Sequence, residues 1–336
     1  MTKKVVTFGE IMLRLSPEGY SRFKKSDTYK AFYGGAEANS AETVSQLGLE
    51  SRFVTKLPDN ALGDAAVSAL QSLGVDTSCI VRGGDRIGIY FLETGTAQRP
   101  AQTIYDRKNS SMALSEAKEF DWDKIFNGAD WFEFSGITPA LSDEMAEATL
   151  TACQKAKEKG ITISCDLNYR SRMWSSKKAE EVMDKILPYV DVFIANDKDV
   201  LGIYADNQWK ESDPRKRSEE IVRWMTEKYG FKAASIILVL SNGPMDKGTW
   251  GCLYEDDRMY TSKSYFAEMV ESVGAGDTFA GALIAACLKG MEHEEALNFA
   301  TATSALKFSV TGDANIINES EVRALMNRSA DDWISR

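Results

Sequence analysis

The sequence predicts an α/β protein: a doubly wound, mostly parallel sheet flanked by helices, with a small β-sheet beside it. Two observations predict this. From residue 130 to residue 240, short apolar runs alternate regularly with helical stretches, the pattern of parallel strands joined by crossover helices. Between residues 86 and 105 the pattern changes to two β-prone runs, GIYFLE and QTIY, separated by the turn-like TGTAQRP; this reads as a hairpin.

Taken in order, residues 5–15 (VVTFGEIMLRL) read as an opening strand. A helix over 36–47, a strand over 52–57 and a helix over 61–73 follow. After the hairpin, strand WFEFSG leads to a helix over 143–159, with Met145, Thr149, Ala152 and Ala156 on one face. Then come strand ITISCDLN, a helix over 177–187, strand DVFIAN, a helix over 214–228 and strand SIILVL. In doubly wound sheets ligands bind beyond the carboxyl ends of the strands, which directs attention to Gly136, Asn168, Asn196 and Ser241. No repeat, low-complexity segment or linker divides the chain, so residues 1–336 are expected to form a single domain.

Composition excludes several classes. With 43% hydrophobic residues the chain can bury a sizeable core, which excludes global disorder. A formal net charge of -10 argues against a nucleic-acid partner, which calls for a basic face. Glu10 interrupts the apolar run near the N-terminus, so no signal peptide is read there, and the uncharged run 278–288 is too short to span a bilayer. Five widely spaced cysteines without a CxxC pair read as buried, reduced thiols of a cytoplasmic protein. The single histidine, His293 in MEHEE, reads as a solvated surface residue, which excludes a Ser-His-Asp triad and an HExxH zinc site. Chemistry here therefore falls to carboxylates, cations, backbone amides and a bound metal.

The strongest local signal is Glu271-Ser272-Val273-Gly274-Ala275-Gly276-Asp277-Thr278-Phe279. Its glycines allow a sharp turn, and the apolar run that follows reads as a buried helix. The free amides of Gly274, Ala275 and Gly276 would then form an anion hole at the helix start. Asp277 reads either as an ordinary cap of that helix or as a catalytic base, and spacing alone leaves both open. A helix start favours carboxylate and so lowers basicity, but in phosphoryl transfer a base acts mainly through its position. The chain lacks GxxxxGK[ST] and the HRD and DFG motifs, so it is neither a P-loop nor a protein kinase.

GAGDTF closely resembles the C-terminal signature of the PfkB/ribokinase carbohydrate kinases. The run Gly34-Gly35-Ala36-Glu37-Ala38-Asn39-Ser40-Ala41 resembles that family's N-terminal signature, with Gly48 at the expected later position. The resemblance covers essentially the whole chain. It implies a ribokinase-like fold whose β lid, here about 17–33 and 86–110, closes over the site. It implies Asp277 as base, the 274–276 turn as anion hole, and Gly34, Gly35 and Asn39 near the sugar. Asn196, Lys198 and Asp199 resemble the N-x-x-E segment that organises magnesium through water, and Ser241, Asn242 and Gly243 resemble the nucleotide-binding T-x-G, with Gly248 beyond it. Asp199 in place of glutamate, Glu271-Ser272 in place of Asp-Thr, Pro58 in place of a common glycine and the longer loop 244–247 depart from the pattern.

Within the family the chain is most similar to 2-keto-3-deoxygluconate kinases, through Tyr90, Tyr105-Asp106-Arg107, Asn168-Tyr169-Arg170 and Asp313. The resemblance implies that the tyrosines and Asp313 meet hydroxyl and keto oxygens while Arg107 and Arg170 meet a carboxylate, for which guanidinium forks are suited. Surface salt bridging is the plainer reading of both arginines. The implied activity is ATP- and Mg2+-dependent phosphorylation of 2-keto-3-deoxygluconate at its 6-hydroxyl, with a monovalent cation as a further candidate. The alternatives are another PfkB sugar kinase, fructokinase- or ribokinase-like, and an inactive sugar-binding member. A lid with an apolar face (Phe23, Phe32, Ile89, Phe91) is expected to pair with a second copy, giving a homodimer or a multiple of one.

Overall fold

A computed structural model describes residues 2–96, 98–204, 209, 211–241 and 246–327. The chain begins with β1 (Lys4–Phe8), β2 (Met12–Pro17), β3 (Tyr29–Gly34) and α1 (Ala36–Gln46). It continues through β4 (Glu50–Val54), the short β5 (Lys56–Leu57), α2 (Ala61–Ser72), the short β6 (Val81–Arg82), β7 (Gly88–Glu93) and β8 (Gln102–Asp106). The alternating part runs α3 (Trp122–Ile125), β9 (Trp131–Ser135), α4 (Ile137–Ala140), α5 (Asp143–Glu158), β10 (Thr162–Asp166), α6 (Ser176–Ile186) and β11 (Val192–Ala195). It ends with α7 (Asp197–Ile203), α8 (Pro214–Tyr229) and β12 (Ala233–Ser241). Last come β13 (Asp246–Glu255), β14 (Arg258–Thr261), β15 (Tyr265–Glu268), α9 (Ala275–Leu288), α10 (His293–Lys307) and α11 (Glu319–Met326).

Strands β4, β1, β9, β10, β11 and β12 lie parallel in that order. The antiparallel β13 joins β12, and its far edge carries β14 and β15. The strand order reverses between β1 and β9, so the crevice beyond their carboxyl ends is the expected ligand site. Helices cover both faces. On one, Met145 of α5, Met183 of α6 and Ile221 of α8 pack with Phe8, Phe132 and Phe134. On the other, Val44 of α1, Phe279 and Leu283 of α9, Phe299 of α10 and Val322 of α11 pack together.

Local chemistry explains these elements. Helix α5 is capped by Ser142, whose side chain accepts the Met145 amide, and carries acids in its first turn and lysines in its last. Helix α9 has no polar stripe: ten of its fourteen residues are buried, so it can only sit inside the layer, between α1 and α10.

The smaller sheet has the order β3-β2-β7-β8. Strands β2 and β7 are parallel, and the other pairs are antiparallel, including the expected β7–β8 hairpin. One expectation is corrected. Residues 5–15 are not one strand: β1 belongs to the large sheet and β2 to the small one. The chain turns at Gly9, where any side chain would collide with the Glu37 carboxylate.

Two smaller readings also change. Cys79, Cys153, Cys165 and Cys252 are buried and free, but Cys287 is exposed. His293 is not simply solvated: its ring stacks on Tyr260 at 5.2 Å and its Nδ1 lies 2.8 Å from Glu255 Oε2. Among the described residues no helix is long and apolar enough to cross a membrane.

Candidate active site

Gly274 has φ +80°, and a side chain there would strike the Asp313 carbonyl, so the turn requires glycine. Helix α9 starts at the next residue. The Thr278 amide donates to Gly274 O at 2.8 Å, the first helical bond, whereas the Ala275 amide reaches only Ser272 O at 3.5 Å. The amides of Ala275, Gly276 and Asp277 thus precede the helical ladder, and a methyl group built at Gly276 meets nothing within 4 Å. This open helix mouth can receive an anion.

Asp277 is the third residue of α9 rather than its cap. Its Oδ2 accepts Asn39 Nδ2 at 2.7 Å, and Asn39 Oδ1 in turn accepts the Gly35 amide at 3.3 Å. The two glycine-rich segments therefore meet through one asparagine. Burial pushes the Asp277 carboxyl up to about 6, although the Asn39 bond and the nearby Arg170 charge pull the other way. The weak basicity expected at a helix start is thereby offset by desolvation.

Other acids face the same space. Burial, then the charges of Asp277 and Asp199, hold Asp166 well above the usual carboxylate range. Burial lifts Asp199 to about 6. Asn168, buried with φ +35°, directs Nδ2 to Asp166 Oδ2 at 3.4 Å. Arg170 is exposed and, among the described residues, has no ion-pair partner, yet its charge is felt by Asp277, Asp166 and Asp199. Among the described residues no group of three or more His, Cys, Asp or Glu is arranged to hold a metal. Asp199 and Asn196 are the residues that would back a magnesium ion arriving with phosphate oxygens and water.

The small sheet supplies the opposite wall. Tyr90 is buried and donates its hydroxyl to Asp313 Oδ1; Asp313 Oδ2 accepts Arg14 Nη1 at 2.9 Å. Arg14 also pairs with Glu271, whose other oxygen accepts the Gly312 amide at 2.8 Å. Lys307, fully buried, donates to the carbonyls of Gly312 at 2.8 Å and Val310 at 3.3 Å. Gly34 packs so closely on Asp313 that a side chain would clash, and Gly35 does the same on the Glu10 carbonyl. Asp313 is thus clasped between the two signatures. Tyr105, 46% exposed, stacks on Tyr90 at 5.7 Å and lies under the Arg107 guanidinium at 5.9 Å, a surface free to meet a ligand. Arg107 Nε donates to Glu10 Oε2 at 2.8 Å.

On the nucleotide side, Asn196 caps α7 by accepting the Lys198 amide at 3.1 Å and ties β11 to β12 through Ile237 O at 3.0 Å. The Lys198 side chain is exposed. Ser241 ends β12 and accepts Lys247 Nζ at 2.7 Å. Asn242 and Gly243 lie outside the described residues. Gly248 lies within β13, opposite Leu240 and Phe266, and a methyl there would sit 2.6 Å from the Phe266 ring.

Arg14, Lys307 and Glu10 are the site residues that sequence reasoning missed. The available signal was a charge inside an apolar run: Glu10 and Arg14 both interrupt the run 5–15. A charge in such a position is buried only with partners, and so marks a network.

The chain is similar to known proteins along nearly its whole length. Residues 2–321 match the profile described as pfkB family carbohydrate kinase. The crystal structure of 2-dehydro-3-deoxygluconokinase from Thermotoga maritima superposes with a TM-score of 0.94 at 44% identity, covering 97% of this chain and 100% of that one. The 2-dehydro-3-deoxygalactonokinase of Haloferax volcanii is 32% identical over 338 residues, covering both chains completely. The 2-dehydro-3-deoxygluconokinase of Bacillus subtilis is 28% identical, covering 93% of this chain and 92% of that one.

Proposed function

The chain belongs to the pfkB family of carbohydrate kinases, and from that premise we propose that it phosphorylates 2-keto-3-deoxygluconate at the 6-hydroxyl, giving 2-keto-3-deoxy-6-phosphogluconate. The observation that carries the reading is Asp277, a carboxylate lifted to about 6 and held by Asn39 at the mouth of an open helix N-terminus. Asp277 accepts the proton of the 6-hydroxyl as that oxygen attacks the γ-phosphorus of ATP in line, and ADP leaves with the bridging oxygen. The amides of Gly274, Ala275 and Gly276, with that of Asp277 beside them, receive the charge on the transferred group. Asn39 keeps the carboxylate aimed. Magnesium, carried in with ATP and backed by Asp199 and Asn196, would neutralise phosphate charge. A monovalent cation is a third candidate ligand, tested by exchanging potassium for tetramethylammonium in the assay.

Arg107 and Arg170 favour an acid over a neutral sugar, because their planar forks match a carboxylate. Tyr90, Tyr105, Asn168, Asp313, Gly34 and Gly35 line the sugar side. The Haloferax relative favours a second reading, the C4 epimer 2-keto-3-deoxygalactonate. A coupled ADP-release assay across both epimers, fructose, ribose and gluconate tests the proposal. The keto-deoxy acids should give the highest kcat/KM; a higher value for fructose or ribose would replace the reading by that of a neutral-sugar kinase.

We further propose that the small sheet is a lid over the substrate and pairs with a second copy. Tyr29 and Ile104 on its strands are 40% and 47% exposed, and Phe23 and Tyr29 lie edge-on to Phe91. A monomeric mass by light scattering at micromolar concentration would refute the pairing. Free thiols fit a reducing compartment, so the cytoplasm is the proposed location, checked by cell fractionation.

A further inference from the structure

Glu10 occupies the turn where the chain leaves the large sheet for the small one, and it is 3% exposed. Nothing in the reaction itself calls for a carboxylate there. Its two oxygens are fully engaged. Oε2 accepts both Nε, at 2.8 Å, and Nη2 of Arg107, and Oε1 accepts the Ser110 hydroxyl. Gly88 makes the room: a methyl there would lie 2.8 Å from Glu10 Oε1 and 3.3 Å from Arg107 Cβ.

This geometry divides the guanidinium into two edges. The Nε/Nη2 edge is bound to Glu10. The Nη1/Nη2 edge points elsewhere, and among the described residues Nη1 has only Met173 Sδ as a hydrogen-bond partner, at 3.8 Å, a weak acceptor. An arginine held by one edge keeps the other in a fixed plane, so little side-chain freedom is lost when a ligand binds. Glu10 also cancels much of the charge of Arg107, so what remains is directional: a planar fork for a planar acceptor.

We propose that Glu10 is a positioning residue for substrate choice: it grips one edge of Arg107 and so presents the other edge to the carboxylate of a sugar acid. This rests on the reading of Arg107 as a carboxylate-binding residue.

The test compares kcat/KM for 2-keto-3-deoxygluconate with that for fructose in wild type, E10Q, R107A, R107K and E10Q/R107A. In E10Q the acid-over-neutral ratio should fall about tenfold, mainly through KM for the acid, the loss expected when a charge-assisted contact is loosened. In the R107A background E10Q should lower the ratio no further. R107K should fall as far as R107A, because its ammonium would be engaged by Glu10 with no second edge to offer. Equal losses for acid and neutral sugar in E10Q, or additive losses in the double variant, would overturn the proposal. Should E10Q fail to fold, G88A intrudes on the same pair without removing a charge; an unchanged ratio in G88A overturns the proposal equally. If R107A lowers the ratio and E10Q does not, this proposal alone falls. If R107A leaves the ratio unchanged, the carboxylate reading falls and takes this proposal with it.

Discussion

The two walls of the cleft are built on different principles. On the α9 side, the amides and the carboxylate proposed to act in transfer come from consecutive residues, 274–277, and the geometry is set by backbone: a left-handed glycine and a helix start. On the small-sheet side, the groups are side chains from separate strands. Arg14 of β2 and Tyr90 of β7 converge on Asp313, and Glu10 reaches Arg107 across 97 residues. The chemical wall is local and contiguous, and the recognition wall is assembled by the fold. This difference teaches where each kind of specificity resides. On the proposed reading, transfer chemistry is common to many acceptors and falls to one compact motif. Acceptor choice depends on long side chains whose aim depends on their neighbours.

Damage to the two walls should therefore look different. The largest effect is expected from Asp277→Asn, which keeps size but cannot take the proton. Turnover should drop by about two or more orders of magnitude for every acceptor, with ATP and acid binding retained. Near-normal turnover in the folded variant would reduce Asp277 to a structural member of α9.

A smaller and selective effect is expected on the recognition wall. Arg170→Ala should cost about 1.5–3 kcal/mol in kcat/KM for the keto-deoxy acid and little for fructose. The exposure of Arg170 keeps this below the cost of stranding a buried charge. Arg170→Lys should recover part of the loss, unlike Arg107→Lys, because no carboxylate of the described residues holds Arg170 within ion-pair distance. Equal effects on acid and neutral acceptors would erase the distinction between the walls.

The smallest effect sharpens the comparison from the chemical side. The base must be ionised, so kcat/KM should fall as pH drops through about 6, the value to which burial raises Asp277. The Asn39 hydrogen bond favours the carboxylate, so Asn39→Ala should move this limb to higher pH. A limb that stays in place would assign it to Asp199, which is lifted to about 6 as well.

The sequence shows the same division. The alternation of apolar runs and helical faces is a short-range pattern, and it yields the parallel sheet and the three long helices of its alternating half, α5, α6 and α8, but not the short α3, α4 and α7. GAGDTF is contiguous, so the glycine turn and its aspartate are visible in the chain itself. What the chain conceals is whatever depends on distant partners. The apolar run 5–15 keeps its rhythm straight through Gly9, whereas the close contact there is with Glu37 of α1, a helix that begins only after β2 and β3. Asp313 is marked in the sequence only by the family resemblance, and nothing beside it shows what it meets. Its buried partners stand 299 and 223 residues away, at Arg14 and Tyr90. Arg107 is visible as a cation, but its tether to Glu10 is not, since a charge in an apolar run announces a partner without saying which.

The central claim is transfer of a phosphoryl group to the 6-hydroxyl of a keto-deoxy sugar acid, with Asp277 as the base. Phosphorus–proton correlation NMR of the product formed from ATP, magnesium and 2-keto-3-deoxygluconate tests it most directly. The expected result is a single phosphate ester whose phosphorus couples to the two C6 protons, formed by the wild type and reduced by about two or more orders of magnitude in rate in Asp277→Asn. A phosphate on another oxygen, or release of inorganic phosphate without an ester, would contradict it.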